Sequence, residues 1–261
     1  MIRIENAFKK AELENRKAFI PFITAGDPSL MKTIDLVKAM ISGGADIVEI
    51  GIPYSDPLAD GVILQEAAKR ALDAGTKVND IFRVISKLRQ DTEIPIVFLV
   101  YFNTIFQYGI QNFMEQCQRV GIDGLIIPDV PFEESDEIYP IMIAHDIAPI
   151  PLVTPTSINR VEEILQSGKG YIYCVSSLGV TGKRKKFSES ALTFIQEVKA
   201  RAPIPVAVGF GIQSPATASF FKPFVDGVIV GSAIVDYIHQ VDGRVELVEA
   251  YIHQFVQELY E

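Results

Sequence analysis

Short apolar runs recur along the chain, and each is followed by a segment whose apolar residues repeat at helical spacing. Most runs are nearly continuous in apolar residues, which is typical of parallel strands buried on both faces. They predict strands at residues 18–24, 46–50, 94–101, 124–127, 148–153, 171–175, 205–208 and 227–230. The remaining segments predict helices at residues 3–14, 29–40, 65–73, 80–89, 110–120, 133–144, 156–168, 188–201, from 215, and 232–260. We expect Ser29 and either Thr156 or Ser157 to cap two of these helices.

The even alternation of strands and helices predicts an α/β fold. A (β/α)8 barrel needs about 250 residues, and the chain has 261. Eight strand–helix units fit this closed barrel better than an open doubly wound sheet. No long linker interrupts the alternation, so we expect one TIM-barrel domain over residues 1–261 with an extra helix at its N-terminus.

Composition narrows the class of protein. The net charge of −9 disfavours nucleic-acid binding, which requires a basic face. Cys117 and Cys174 are far apart and have no metal-ligand spacing, which indicates a reducing compartment. The first residues lack the apolar run of a signal peptide, and no apolar segment reaches the ~18 residues that a membrane span requires. We therefore expect a cytoplasmic protein that binds neither nucleic acid nor membrane.

One acidic residue interrupts the apolar run at residues 46–50. Glu49 is either half of a structural ion pair or a general acid or base whose pKa is raised by apolar neighbours. Asp60 lies in the loop after the same strand, so both carboxyls can face one pocket at the mouth of a barrel. Asp60 is also a good candidate for the N-cap of a helix that starts near Val62.

Glycines follow three successive strands of the predicted barrel. They occur at Gly179 and Gly182, at Gly209 and Gly211, and at Gly231 before Ser232. Glycines at strand ends also permit plain turns, but amides of the last two loops beside a helix N-terminus form the usual phosphate site of such barrels. We therefore predict a phosphate-binding site at this edge.

Other polar residues are less informative. Asp27 and Asp56 are interpreted as turn residues, whereas Asp129 fits catalysis, a turn or an interface equally well. The basic residues 183–186 are interpreted as a solvated loop. The three histidines fall in predicted helices without metal-ligand spacing, so metal catalysis is not expected. The 171–175 strand does not end in lysine, which disfavours a Schiff-base aldolase.

The stretch Val48–Gly61, VEIGIPYSDPLADG, resembles the signature of the tryptophan synthase α-subunit family. Supporting matches are residues 22–28, 129–131, 179–182, 209–212 and 231–235, so the resemblance covers essentially the whole chain. It implies a (β/α)8 barrel that cleaves indole-3-glycerol phosphate to indole and glyceraldehyde 3-phosphate in a retro-aldol reaction. It also implies no metal or organic cofactor, and an α2β2 heterotetramer in which a pyridoxal-phosphate β subunit receives the indole.

The resemblance also assigns expected roles to individual residues. Glu49 would protonate the indole ring and take the glycerol hydroxyl proton, and Asp60 would accept a hydrogen bond from the indole N–H. The expected substrate contacts are Phe22, Leu99, Ile126, Tyr173 and Thr181, and the expected phosphate contacts are Gly182, Gly211, Gly231 and Ser232. Closure of the loop from Gly179 onward would exclude water.

Three alternatives remain at this stage. The chain could be a lyase of the same lineage that acts without a β subunit. It could be a phosphosugar isomerase or epimerase on a similar barrel. It could also be a subunit kept only to activate a partner, although a carboxylate inside an apolar strand disfavours a purely structural role.

Overall fold

A computed structural model of the chain describes residues 1–175 and 189–261, without the side chains of Ile158, Glu189 and Ser190. Over these residues the strands are β1 Ala18–Thr24, β2 Val48–Gly51, β3 Ile96–Leu99, β4 Gly124–Ile126, β5 Ala148–Pro149, β6 Leu152–Val153, β7 Ile172–Val175, β8 Val206–Gly209 and β9 Gly227–Val230. The helices are α1 Ile2–Leu13, α2 Leu30–Ser42, α3 Val62–Asp73, α4 Val78–Leu88, α5 Phe102–Tyr108, α6 Ile110–Val120, α7 Tyr139–Ala144, α8 Val161–Ser167, α9 Glu189–Arg201, α10 Pro215–Phe221, α11 Ser232–Gln240 and α12 Val245–Tyr260. Short 3-10 helices occupy Phe132–Glu137, Pro155–Arg160 and Lys222–Phe224.

The strands of the described residues are all parallel and lie in the order β5-β4-β3-β2-β1-β9-β8-β7-β6. β5 and β6 are the two ends of the single predicted strand 148–153, so this segment pairs with β4 on one side and with β7 on the other. The sheet therefore closes into a ring surrounded by helices. The prediction of a TIM-barrel α/β fold with an additional N-terminal helix is confirmed.

Two prolines explain why the 148–153 segment is divided into two short strands. The amides of Ala148 and Ile150 donate to carbonyls of the β4 side, at 2.9 and 3.0 Å. Pro149 and Pro151 face β7, where their carbonyls accept from Lys169 and Tyr173. Proline has no N–H, so on this side the segment accepts hydrogen bonds at both positions and donates at neither.

Apolar side chains fill two layers. The outer layer lies between the strands and the surrounding helices, and α4 contributes Ile81, Phe82 and Ile85 to it from one face. The inner layer lies inside the barrel, where α1 covers the N-terminal ends of the strands with Ile4 and Phe8. The carboxyl ends of the strands are thus left as the open end of the barrel. No helix among the described residues combines the length and apolar character needed to cross a membrane.

Several predicted element boundaries were wrong for local reasons. The 94–101 strand covers only Ile96–Leu99, and the short helix α5, which begins at Phe102, was missed. The helix predicted at 133–144 is a 3-10 turn followed by α7, which has a proline in its first turn. Likewise, α8 begins only at Val161, so neither Thr156 nor Ser157 caps it. Ser29 does cap α2, by accepting from the Lys32 amide at 3.2 Å.

Candidate active site

A cleft opens among the loops at the carboxyl ends of the strands. It brings together eight of the residues singled out from the sequence, on loops or strands that are far apart along the chain. Its lining is Phe22, Glu49, Asp60, Gly61, Leu64, Leu99, Tyr173, Phe210, Gly211, Ile212, Ile229, Gly231 and Ser232. Ile126 is fully buried in the apolar cluster behind this lining. Thr181 and Gly182, together with the rest of the predicted loop, lie outside the described residues.

Glu49 lies on β2 between Phe22 of β1 and Val97 of β3, and its side chain lines the cleft at 1% exposure. Its partner is Tyr171, whose hydroxyl donates a hydrogen bond to Oε1 at 2.5 Å. Burial raises the pKa of Glu49 from 4.5 to about 8, and the Tyr171 hydrogen bond opposes this rise only in part. At neutral pH the carboxyl is therefore mostly protonated and able to act as an acid.

Asp60 lies in the loop between β2 and α3. Gly61 is the N-cap of α3 and the Asp60 carboxyl does not cap this helix, so the capping interpretation was wrong by one residue. Burial raises the pKa of Asp60 to about 6, and the Tyr101 hydroxyl opposes this rise only in part. Near pH 7 Asp60 is thus mostly ionised while Glu49 is mostly protonated. Two carboxyls with separated pKa values can divide the roles of acid and hydrogen-bond acceptor.

Tyr173 and Phe210 form an aromatic wall of the cleft. Their rings meet edge to face, with 6.0 Å between centroids. Phe210 has a φ of 66°, a left-handed conformation that non-glycine residues rarely adopt and that is concentrated at functional sites. Gly209 permits this arrangement, because a Cβ there would lie 2.2 Å from the Tyr173 hydroxyl oxygen. Phe210 lies within the matching stretch 209–212, but no role was predicted for its side chain.

Another part of the cleft lining consists of glycine backbone and the start of a helix. Gly211 has a φ of 80°, and Gly231 is the N-cap of α11, whose first residue is Ser232. The N-terminus of a helix presents amide hydrogens and a partial positive charge, which favours an anion. The cleft thus has a polar end suited to a phosphate and an apolar end that contains the two carboxyls.

The remaining acidic candidates have structural partners. Both carboxylate oxygens of Asp129 accept from the Phe102 amide, at 2.9 and 3.1 Å, so this residue caps α5. Asp27 was interpreted as a turn residue, but its buried carboxylate forms a bidentate ion pair with Arg70. Asp56 accepts a hydrogen bond from Ser55 at the exposed surface.

The fold and the cleft together define a TIM-barrel protein in which two carboxyls lie in one cleft with the N-terminus of a helix. The family model of the tryptophan synthase alpha chain matches residues 8–261. The alpha chain of Alkaliphilus metalliredigens is 47% identical over 259 residues, which is 99% of this chain and 97% of that protein. The alpha chain of Thermoanaerobacter pseudethanolicus is 47% identical over 261 residues, covering 100% and 99% of the two chains.

Solved structures agree with the sequence comparisons. A Mycobacterium tuberculosis tryptophan synthase structure matches with a TM-score of 0.90 and 31% identity, covering 98% of both chains. The alpha chain of Legionella pneumophila matches with a TM-score of 0.89 and 32% identity, covering 98% of this chain and 97% of that one. The chain belongs to the tryptophan synthase alpha chain family, whose subunit cleaves indole-3-glycerol phosphate.

Proposed function

We propose that the cleft cleaves indole-3-glycerol phosphate with Glu49 as the proton donor and Asp60 as the acceptor of the indole N–H. The observation that carries these roles is the state of the two carboxyls. Glu49 is buried with a pKa of about 8, and among the described residues it is hydrogen-bonded to a tyrosine and paired with no lysine or arginine. Asp60 has a pKa of about 6. At neutral pH the pair therefore provides one proton and one negative charge.

The retro-aldol cleavage uses both this proton and this negative charge. Protonation of the ring carbon that bears the glycerol chain gives a cationic indolenine, and the Asp60 carboxylate stabilises this cation through the ring N–H. The hydroxyl on the adjacent glycerol carbon then loses its proton to Glu49, and its oxygen forms the aldehyde carbonyl. The electrons of the broken carbon–carbon bond return to the ring and give neutral indole. Glu49 ends the cycle protonated, as it began.

The phosphate of the substrate is assigned to the polar end of the cleft. The amides of Gly211, Gly231 and Ser232 and the Ser232 hydroxyl are the proposed donors, supported by the N-terminus of α11. The proposal also includes Gly182 as a phosphate contact and Thr181 as a loop residue that covers the substrate. The indole ring would then rest among Phe22, Leu99 and Tyr173.

Tryptophan synthase alpha chains work with a beta subunit, and we extend this to an α2β2 assembly in the cytoplasm. Two apolar side chains beside the cleft are open to solvent, with Leu58 90% exposed and Phe106 61% exposed. The loop that holds Leu58 and helix α5, which holds Phe106, are joined where the Asn103 amide donates to the Tyr54 hydroxyl at 3.3 Å. Exposed apolar residues at the mouth mark the surface that a beta subunit would cover.

The test is the release of indole from indole-3-glycerol phosphate by the purified chain, with and without a beta subunit. Indole formed at a rate that increases with added beta subunit supports both the reaction and the partner. An equal rate without it would identify a stand-alone lyase. No indole under either condition, from a folded chain, would overturn the proposal. Isomerisation of a small sugar phosphate would then favour the alternative barrel chemistry.

A further inference from the structure

Three residues at the start of helix α3 belong to the lining of the cleft. They are Asp60, the N-cap residue Gly61, and Leu64 in the first turn. The Gln65 side-chain amide donates to the Asp60 carbonyl at 2.9 Å, which joins Asp60 to the helix. The orientation of α3 therefore decides where the Asp60 backbone lies in the cleft.

The packing of α3 on its neighbours uses small side chains. Its buried residues are Ala67, Ala68 and Ala71, and the helix packs on β1 and α11. Burial stabilises a contact in rough proportion to the apolar area removed from water, and an alanine side chain buries little of it. Packing therefore contributes less to the position of α3 than it would with larger side chains.

An ion pair ties the later part of α3 to the loop after β1. The Nε and Nη2 atoms of Arg70 donate to the two carboxylate oxygens of Asp27, at 2.9 and 2.8 Å. This loop is itself fixed to α2, because the Gly26 amide donates to the hydroxyl of the fully buried Thr33 at 3.0 Å. A bidentate pair restricts both distance and orientation. The pair therefore fixes α3 against a rigid part of the barrel.

We propose that Arg70 is a positioning residue whose ion pair with Asp27 holds α3 so that Asp60 faces the substrate. The inference rests on the proposed function, in which Asp60 accepts the indole N–H. Arg70 lies about 13 Å from Gly61 along the helix axis, at about 1.5 Å per residue. A tilt of about 4° then displaces the first turn by about 1 Å relative to Arg70, and a misplacement of this size costs up to about 10²-fold in rate.

The substitution Arg70→Met removes the charge and keeps most of the side-chain length. We expect kcat to fall by about 10- to 100-fold with a smaller change in KM, because the helix end proposed to bind the phosphate is that of α11 and not that of α3. Lys69→Met is the matched control. It breaks an ion pair that stays within the same helix, between Lys69 and Asp73 at 2.5 Å, and kcat should remain at the wild-type value.

The double variant Asp27→Asn/Arg70→Met separates position from stability. Arg70→Met alone leaves the buried Asp27 carboxylate without its cation, which destabilises the fold, whereas the double variant removes both charges. In urea unfolding the double variant should regain stability while its kcat stays low. A kcat that recovers together with stability, or that does not fall in Arg70→Met, would overturn the inference. Failure of both variants to fold would also overturn it, because the pair would then hold the fold and not the orientation of one helix.

Amide hydrogen exchange gives a second measurement that needs no turnover. Peptides covering residues 57–66 should exchange faster in the double variant than in the wild type, and at the wild-type rate in Lys69→Met. Unchanged exchange in the double variant would overturn the inference. If the wild type does not cleave indole-3-glycerol phosphate, the proposed function fails, while the exchange measurement still tests whether Arg70 positions the start of α3.

Discussion

Replacing Glu49 by glutamine tests the buried acid directly, because glutamine keeps the shape of the side chain and does not ionise. In the folded chain burial raises the pKa of Glu49 from 4.5 to about 8, and the Tyr171 hydrogen bond lowers it only in part. A carboxyl with a higher pKa in the folded state binds its proton more tightly there. The stability that it contributes is fully present below the unfolded pKa and is lost as the pH rises through the folded pKa.

The size of this effect follows from the two pKa values. Each pH unit over which only the folded state keeps the proton changes the free energy of unfolding by about 1.36 kcal/mol. Summed from about pH 5 to about pH 9, the difference in Glu49 protonation between the folded and unfolded states lowers the free energy of unfolding of the wild type by about 4 kcal/mol. The wild type should therefore lose about 4 kcal/mol more than Glu49→Gln over this interval. Because Glu49 is 1% exposed, solvent screening does not reduce this figure.

The assay is urea unfolding of the wild type and of Glu49→Gln at about pH 5 and about pH 9, combined with a measurement of indole release near pH 7. Glu115→Gln, an exposed carboxyl on α6, is the matched control and should follow the wild type. Turnover of Glu49→Gln should fall by at least ~10²-fold, the usual contribution of a positioned acid or base. Equal pH dependence of stability in the wild type and Glu49→Gln would refute the buried, protonated state. Substantial turnover by the glutamine variant would refute the proton transfer.

Two further substitutions test the phosphate end and the aromatic wall of the cleft. Ser232→Ala removes one hydroxyl from the phosphate end and should raise KM about tenfold with a smaller change in kcat, because a hydrogen bond to a charged group contributes about 1.5–3 kcal/mol. The control is Ser86→Ala, which changes an exposed serine on α4. An unchanged KM would contradict the phosphate assignment. Gly209→Ala places a Cβ 2.2 Å from the Tyr173 hydroxyl and should lower kcat/KM at least ~10-fold in a chain that still folds. Full activity of Gly209→Ala would contradict this expectation, because it would mean that Tyr173 can shift without affecting catalysis.

The parts of the site that the sequence predicted are those with a local signal. An acid within an apolar run singles out Glu49, and glycines after consecutive strands single out the polar end of the cleft. Parallel strands bring the loops after them to one edge, so counting the strands was enough to place these residues near each other. Ser29 likewise caps the helix that immediately follows it, because its partner is only three residues away.

The missed features depend on contacts between distant positions or on backbone geometry. Tyr171 begins the predicted 171–175 strand but was assigned no role, because its partner Glu49 lies 122 residues away. The left-handed conformation of Phe210 has no sequence signal, since that region usually requires glycine. Asp129 fitted three roles until the end of β3 was seen to place the Phe102 amide against its carboxylate. The short helix α5 escaped detection because its 7 residues give too little periodicity.

The two prolines in the 148–153 segment remove two hydrogen-bond donors from the side of this segment that faces β7. Across most of the ring each strand both gives and receives hydrogen bonds, but Pro149 and Pro151 only receive them. One of the two amides that they hold is that of Tyr173, whose side chain lines the cleft. A loss of pairing at this junction would therefore also release the backbone of Tyr173, so the stability of the barrel wall and the position of one cleft residue depend on the same hydrogen bond.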